Sequence, residues 1–348
     1  MSESAATRCP NCATELAPSL LSCPLCHQLL HAVELESLAA QAQAHAERGA
    51  PQEALRDWRH VLDLLPVGSR QAAGVSERID RLGREVEASS GARLAAPEPP
   101  PTEHSGRWRA ATAAIGGAGL LVWKFKFILG FVVTKGKLLL LGLTKSSTLF
   151  SMLLSAGVYW TIWGWPFAIG LVLMIYVHEM GHVAALSRLG IAASAPMFVP
   201  GFGALVRMNQ YPVSPREDAR VGLAGPIWGL LAAAVALAAG LALGLPLLTA
   251  VGRFAAWINL FNLLPVWQLD GARGFRALSA QQRWICIAAM GFMWFATEES
   301  LLLLLALGGL FHVFTQPSPR ESDRRAFTQM LVLVVVGAAL SAVRVELP

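Results

Sequence analysis

The chain has 348 residues, 54% of them hydrophobic and only 15% charged, and its mean hydropathy is +0.49. That balance excludes an ordinary soluble globular enzyme and points to an integral membrane protein. The net charge of +5 hides two regions: residues 1–106 carry 9 Lys and Arg against 14 Asp and Glu, and residues 107–348 carry 19 against 9.

The acidic N-terminal region reads as soluble. Its first thirty residues lack a basic start followed by an apolar run, so no secretory signal peptide is expected and the N-terminus is predicted to stay in the cytosol. Five cysteines are present, and four of them, Cys9, Cys12, Cys23 and Cys26, form two C-x-x-C knuckles. In a reducing compartment this spacing favours a metal over disulfides, and four thiolates close a tetrahedral zinc site. No thioredoxin-like context supports two redox pairs. Residues 1–30 are therefore predicted to be a four-cysteine ribbon holding a structural zinc, because a closed site leaves no position for chemistry.

Residues 34–88 have an amphipathic helical pattern. Gly49 at a turn, Ala54 and Trp58 on a second helix and Pro66 at its end resemble a single tetratricopeptide repeat. Two readings stay open: a helical pair that binds a cytosolic protein partner through residues 1–88, or a spacer. Residues 89–109 are Pro-rich and predict a semi-extended tether. Residues 110–146 are apolar but interrupted by Lys124, Lys126, Lys135 and Lys137. They predict interfacial helices lying against membrane lipid, with a short membrane hairpin as the alternative.

Beyond Ser146 the chain predicts about seven spans, near 147–165, 167–188, 218–244, 247–265, 283–297, 300–316 and 326–343. The expected fold is thus mainly α: a polytopic helical membrane domain over residues 147–348, with a small cytosolic ribbon and helical hairpin. A cytosolic start puts most of the loop arginines on the cytosolic side, as the positive-inside rule requires. That placement accounts for the sequence pI of 9.2 and removes the case for a nucleic-acid partner.

The decisive run is Val172-Leu-Met-Ile-Tyr-Val-His178-Glu179-Met-Gly-His182. Histidines four apart share one helix face, a spacing that lets two imidazoles bind one zinc while Glu179 reaches a bound water. A carboxylate inside an apolar helix is costly and is not expected without a role. Two histidines leave a catalytic zinc one protein ligand short of three. Asp270, at the end of the apolar segment that contains Asn262 and Pro265, is the best candidate for the third, and Gly271 beside it allows a close backbone approach.

His178-Glu179-x-x-His182 with a later Asn262-x-x-Pro265-x-x-x-x-Asp270-Gly271 resembles the site-2 protease family of intramembrane metalloproteases, over roughly residues 150–280. The resemblance implies His178, His182 and Asp270 as ligands of a catalytic zinc and Glu179 as general base. It implies Asn262 as a residue that holds substrate or stabilises the oxyanion. It also implies transmembrane protein substrates, cut in or near their membrane segments. The chain departs from the family at Trp267-Gln268, where a Pro is common, and at Ala272, where a second Gly is common. Gly222-Leu-Ala-Gly225-Pro226 resembles a Gly-Pro segment of the family and reads as a close-packing or helix-breaking point. Residues 196–209 predict a strand pair whose edge would bind extended substrate. Rival readings are a non-catalytic scaffold that retains a metal site, against which the intact Glu179 argues, and a zinc transporter or sensor, for which His312 is the only other His within a span. The composition suits a bacterial inner membrane.

Overall fold

The computed structural model describes residues 7–17, 19–95, 146–201, 203–319 and 322–344. Inter-residue contacts divide the chain into two compact units. One comprises Met1–Ala95, Leu186–Ala192 and Met208–Glu217; the other comprises Ala96–Ala185, Ala193–Arg207 and Asp218–Pro348. The interfacial helices or hairpin expected over 110–146 lie outside the described residues except for Ser146.

The first unit starts with a two-stranded ribbon. β1 (Thr7–Arg8) pairs antiparallel with β2 (Glu15–Leu16). Helices α1 (Ala32–Glu47), α2 (Pro51–Asp63) and α3 (Arg70–Ala95) follow. Gly49 makes the α1–α2 turn at φ +73°, a conformation that costs glycine little, and Pro51 opens α2, where its missing N–H loses nothing. Ala54, Leu55, Trp58 and Val61 of α2 pack against Ile79, Leu82 and Val86 of α3. The region thus holds three helices, not a hairpin alone, and α3 continues through 89–95, where a Pro-rich tether was expected to begin. Segments 186–192 and 208–217 complete this unit. Arg59 of α2, almost fully buried, donates from Nε to the Leu189 carbonyl at 2.9 Å and from Nη2 to both Glu217 carboxylate oxygens at 3.0 Å.

The second unit is a bundle of apolar helices. α4 (Ser146–Trp163) and α5 (Trp165–Arg188) are joined at Gly164. Then come the antiparallel strands β3 (Met197–Val199) and β4 (Gly203–Leu205). Phe198 donates its N–H to Ser151 Oγ and Gly201 to the Tyr159 hydroxyl, which ties this hairpin to α4. α6 (Pro215–Leu243) and α7 (Pro246–Asn262) follow, then the short α8 (Asp270–Arg276). α9 (Ala280–Thr297) starts at a Ser279/Gln282 capping box. α10 (Ser300–Thr315) and α11 (Arg324–Ser341) end the bundle, and Asp323 caps α11. Leu223, Leu260, Phe275, Met290, Leu305 and Met330 fill the core between α6 and α11.

The protein is mainly helical, as expected, and each anticipated span falls on one helix. Among the described residues, α5, α6 and α11 are long and apolar enough to cross a bilayer, and α10 is a shorter apolar helix. The seven-residue α8 was not anticipated.

Candidate metal centre

α5 presents His178 and His182 on one face, as the four-residue spacing demands. Both are buried, as are Glu179 and Asp270. Nε2 of His178 lies 3.2 Å from Nε2 of His182 and 3.1 Å from Oδ2 of Asp270, and His182 Nε2 lies 3.3 Å from the same oxygen. The three atoms form a nearly equilateral triangle. Ligands about 2.0–2.1 Å from a tetrahedral zinc stand roughly 3.3–3.4 Å apart, so the triangle has the size that such an ion requires.

The outer nitrogens fit neutral rings that carry their proton on Nδ1. His178 Nδ1 is 2.8 Å from Asn259 Oδ1, and His182 Nδ1 is 2.8 Å from the Val221 carbonyl. Neither oxygen carries a proton, so each Nδ1–H donates, and in a neutral ring the Nε2 lone pair then turns inward. Two lone pairs and a carboxylate oxygen then face one another in a buried site. A single proton on one nitrogen could not satisfy all three edges, whereas a divalent cation at their centre does. The residues therefore fit zinc. A Glu179 carboxylate oxygen lies within 4.8 Å of a nitrogen of each histidine.

Backbone packing keeps this space open. A Cβ at Gly225 of α6 would lie inside contact distance of His182 Nε2 and 2.7 Å from His178 Nε2. Asp270 begins α8, which Asp218 of α6 grips through Arg273 Nε at 2.7 Å and Arg276 Nη2 at 2.6 Å. Asn262 at the end of α7 places its amide nitrogen 3.5 Å from His178 Nε2. The structure thus brings His178, Glu179, His182, Asp270 and Asn262 to one place. Two contributors are additional to the sequence reading, Asn259 and the Val221 carbonyl, while Gly225, expected at a close-packing or helix-breaking point, is where α6 comes close to both histidines. A polar residue inside an apolar helix was the available signal for Asn259; a backbone carbonyl leaves none.

The four cysteines form a separate cluster, with Cys9 and Cys26 sulfurs 3.6 Å apart and Cys12 and Cys23 sulfurs 3.5 Å apart. The two knuckles repeat one hydrogen-bond pattern. Ala13 and His27 donate to the Cys9 and Cys23 carbonyls, while the Cys9 and Cys23 N–H groups donate to Thr14 and Gln28. The Thr14 hydroxyl, first among several hydrogen bonds, draws the Cys12 thiol down to about 6, and burial pushes Cys9 up to about 11. Four convergent sulfurs with no disulfide suit a closed zinc site.

Residues 166–253 match the model of peptidase family M50, so the resemblance to site-2 proteases holds for this part of the chain. The match takes in His178, Glu179, His182 and Gly225 and ends before Asp270. Two curated relatives are zinc metalloproteases by name. One, a probable chloroplastic enzyme of Arabidopsis thaliana, is 40% identical over 72 residues, 19% of this chain and 13% of its own length. The other, from Methanocaldococcus jannaschii, is 24% identical over 135 residues, 37% of this chain and 38% of its own length. The chain thus spans well under half the length of either. No solved structure matches. The family match and the long apolar helices together make this an integral membrane protein.

Proposed function

We propose that the protein is a zinc metalloendopeptidase that hydrolyses peptide bonds in or near the transmembrane segments of other proteins. The observation that carries this reading is the triangle of His178 Nε2, His182 Nε2 and Asp270 Oδ2, with Glu179 beside it inside an apolar helix. The zinc metalloprotease names of the two relatives agree with it. A zinc ion held by the three side chains would polarise a scissile carbonyl and bring the pKa of water toward roughly 7. Glu179 takes the proton from the attacking water and delivers it to the leaving nitrogen. Asn262, beside the triangle, donates its amide N–H groups to the carbonyl oxygen as charge develops there.

A substrate helix has its backbone bonds satisfied internally and must unwind before it is cut. Preferred substrates are therefore spans weakened by Gly, Pro or Asn. The β3–β4 hairpin, with Met197 and Leu205 exposed, offers strand edges to the unwound segment. Truncating 197–208 without loss of cleavage would remove that role. The N-terminus is assigned to the cytosol of a multi-pass protein, in a bacterial inner membrane. The ribbon holds a second, structural zinc, and residues 1–88 bind a cytosolic protein partner.

The test is cleavage of a tagged single-span protein with a Gly/Pro-interrupted helix, by purified wild type and by Glu179→Gln in zinc-replete detergent. Cleavage by wild type alone supports the reading. Equal cleavage by both overturns the assignment of Glu179.

A further inference from the structure

We propose that Asn259 is a positioning residue of the membrane metal centre, and that it makes His178 the more vulnerable of its two imidazole ligands. The inference rests on the metal reading of the triangle and goes beyond it, because Asn259 contributes no atom to the triangle.

Asn259 lies on α7, one helical turn before Asn262, and is 3% exposed. A buried amide in an apolar helix costs free energy unless its donors and acceptor are used. Here its two ends have different partners. Nδ2 donates to the Ala255 carbonyl of the same helix at 2.7 Å, which leaves Oδ1 aimed at His178 Nδ1 at 2.8 Å. The helix therefore fixes the amide, and the amide fixes the ring. With Nδ1–H committed to Oδ1, the proton is kept off Nε2, the atom that faces His182 and Asp270.

α6 has given up a side chain to admit this amide. A Cβ at Gly229 would stand 2.6 Å from both Cγ and Nδ2 of Asn259. Gly229 lies one turn beyond Gly225, so successive glycines of one helix clear room first for the metal position and then for the group that orients a ligand.

The two histidines are held unequally. The Nδ1–H of His182 donates to the Val221 main-chain carbonyl, which no substitution deletes. The Nδ1–H of His178 depends on a side chain. Replacing Asn259 by Leu, whose side chain branches at the same carbon, removes the acceptor. His178 is then free to carry its proton on Nε2 or to turn away. Asp at 259 loses the same Nδ2–H to Ala255 that Leu loses, but keeps an oxygen in reach of His178 Nδ1.

A packing role and a positioning role order these two variants oppositely. If Asn259 merely fills space, Leu is tolerated in the apolar interior and Asp, a buried carboxylate, is the damaging change. If it positions His178, Asp retains the metal and Leu does not.

The experiment measures zinc retention in full-length wild type, Asn259→Leu and Asn259→Asp, by chelator competition in detergent with total zinc counted. His182→Ala identifies which dissociation phase belongs to the membrane site. The expected result is two zinc ions in wild type, a loss of affinity of roughly 10- to 100-fold for the membrane-site zinc in Asn259→Leu, and retention within a few-fold of wild type in Asn259→Asp, with the cysteine-bound zinc unchanged throughout. Gly229→Ala, which crowds the amide, shifts the same phase and serves if Asn259→Leu is not recovered folded. A wild type whose only zinc survives His182→Ala overturns the metal reading and this inference with it. Two zinc ions in wild type with equal retention in Asn259→Leu, or with Asp worse than Leu, overturns the inference alone.

Discussion

Gly225 on α6 stands directly over the inward nitrogen of His182 on α5, so close that a Cβ at this position would overlap Nε2 and lie 2.5 Å from Cε1. The glycine is an absence that the metal centre needs. Gly225→Ala is expected to set its methyl against the Nε2 atoms of both histidines and to keep a zinc ion from them, reducing the zinc count from two to one and abolishing cleavage. Gly291→Ala on α9, where nothing lies within 4 Å of the added Cβ, is the control. It should keep both metals and gain up to about 1 kcal/mol of helix stability. Zinc analysis of the two purified variants decides it; two zinc ions in Gly225→Ala would place the ion elsewhere.

The Arg59–Glu217 pair is fully desolvated, and removing one partner strands the other. Arg59→Met should cost about 3–5 kcal/mol, whereas replacing both residues by apolar or neutral groups is often close to neutral. Glu217 also accepts the Val213 N–H at 3.1 Å. Arg59→Met/Glu217→Gln keeps an acceptor there and should recover most of the loss. Thermal unfolding in detergent, with proteolysis of residues 1–95 as the local readout, measures both. A single variant as stable as the double would show that the buried charge is tolerated unpaired.

The ribbon has a core of Cys9, Leu16 and Cys23 with little else packed on it, too small to fold on burial alone. Its zinc should therefore supply its folding free energy. Cys23→Ser is expected to lose one zinc, to open residues 7–30 to protease, and to leave the membrane-site zinc in place. Loss of both metals would show that the two sites are coupled.

The parts of this protein legible in the sequence are those set by local geometry. His178 and His182 fall on one face because a helix repeats every 3.6 residues, and the cysteine knuckles cluster because two tight turns bring them together. Asp270 was reachable because a carboxylate closing an apolar segment needs a partner. Asn259 was harder to find, since its role exists only once α7 packs on α5, although an Asn one turn before Asn262 in an apolar helix was a visible anomaly. The Val221 carbonyl carries no side-chain signal. Arg59 and Glu217 are 158 positions apart, and nothing short-range links them. Ser89, Ser90 and Gly91 look like linker by composition, yet α3 runs through them, because extending a helix already packed at Ile79, Leu82 and Val86 adds one hydrogen bond per residue fixed. The oddity at Trp267-Gln268 does mark an unusual turn: Trp267 is 89% exposed with φ +52°, a conformation a bulky residue adopts at a cost of about 1–2 kcal/mol.

That turn delivers Asp270, and the two residues after it respond in opposite ways to a change of one methyl group. Gly271 packs so tightly that a Cβ would overlap the Leu263 carbonyl and stand 2.7 Å from the Leu263 Cα. Main chain cannot give way as a flexible side chain can, so Gly271→Ala should push α8 off the end of α7 and carry Asp270 with it. The expected result is weaker retention of the membrane-site zinc and a matching fall in cleavage. Ala272, by contrast, already carries a Cβ in a buried position, 2% exposed. Ala272→Gly should leave zinc retention unchanged and cost about 0.5–1 kcal/mol through the loosened helix. Chelator competition and thermal unfolding on the two variants separate the effects. If Gly271→Ala kept its zinc while Ala272→Gly lost it, the close approach of Leu263 would not be what sets the position of Asp270.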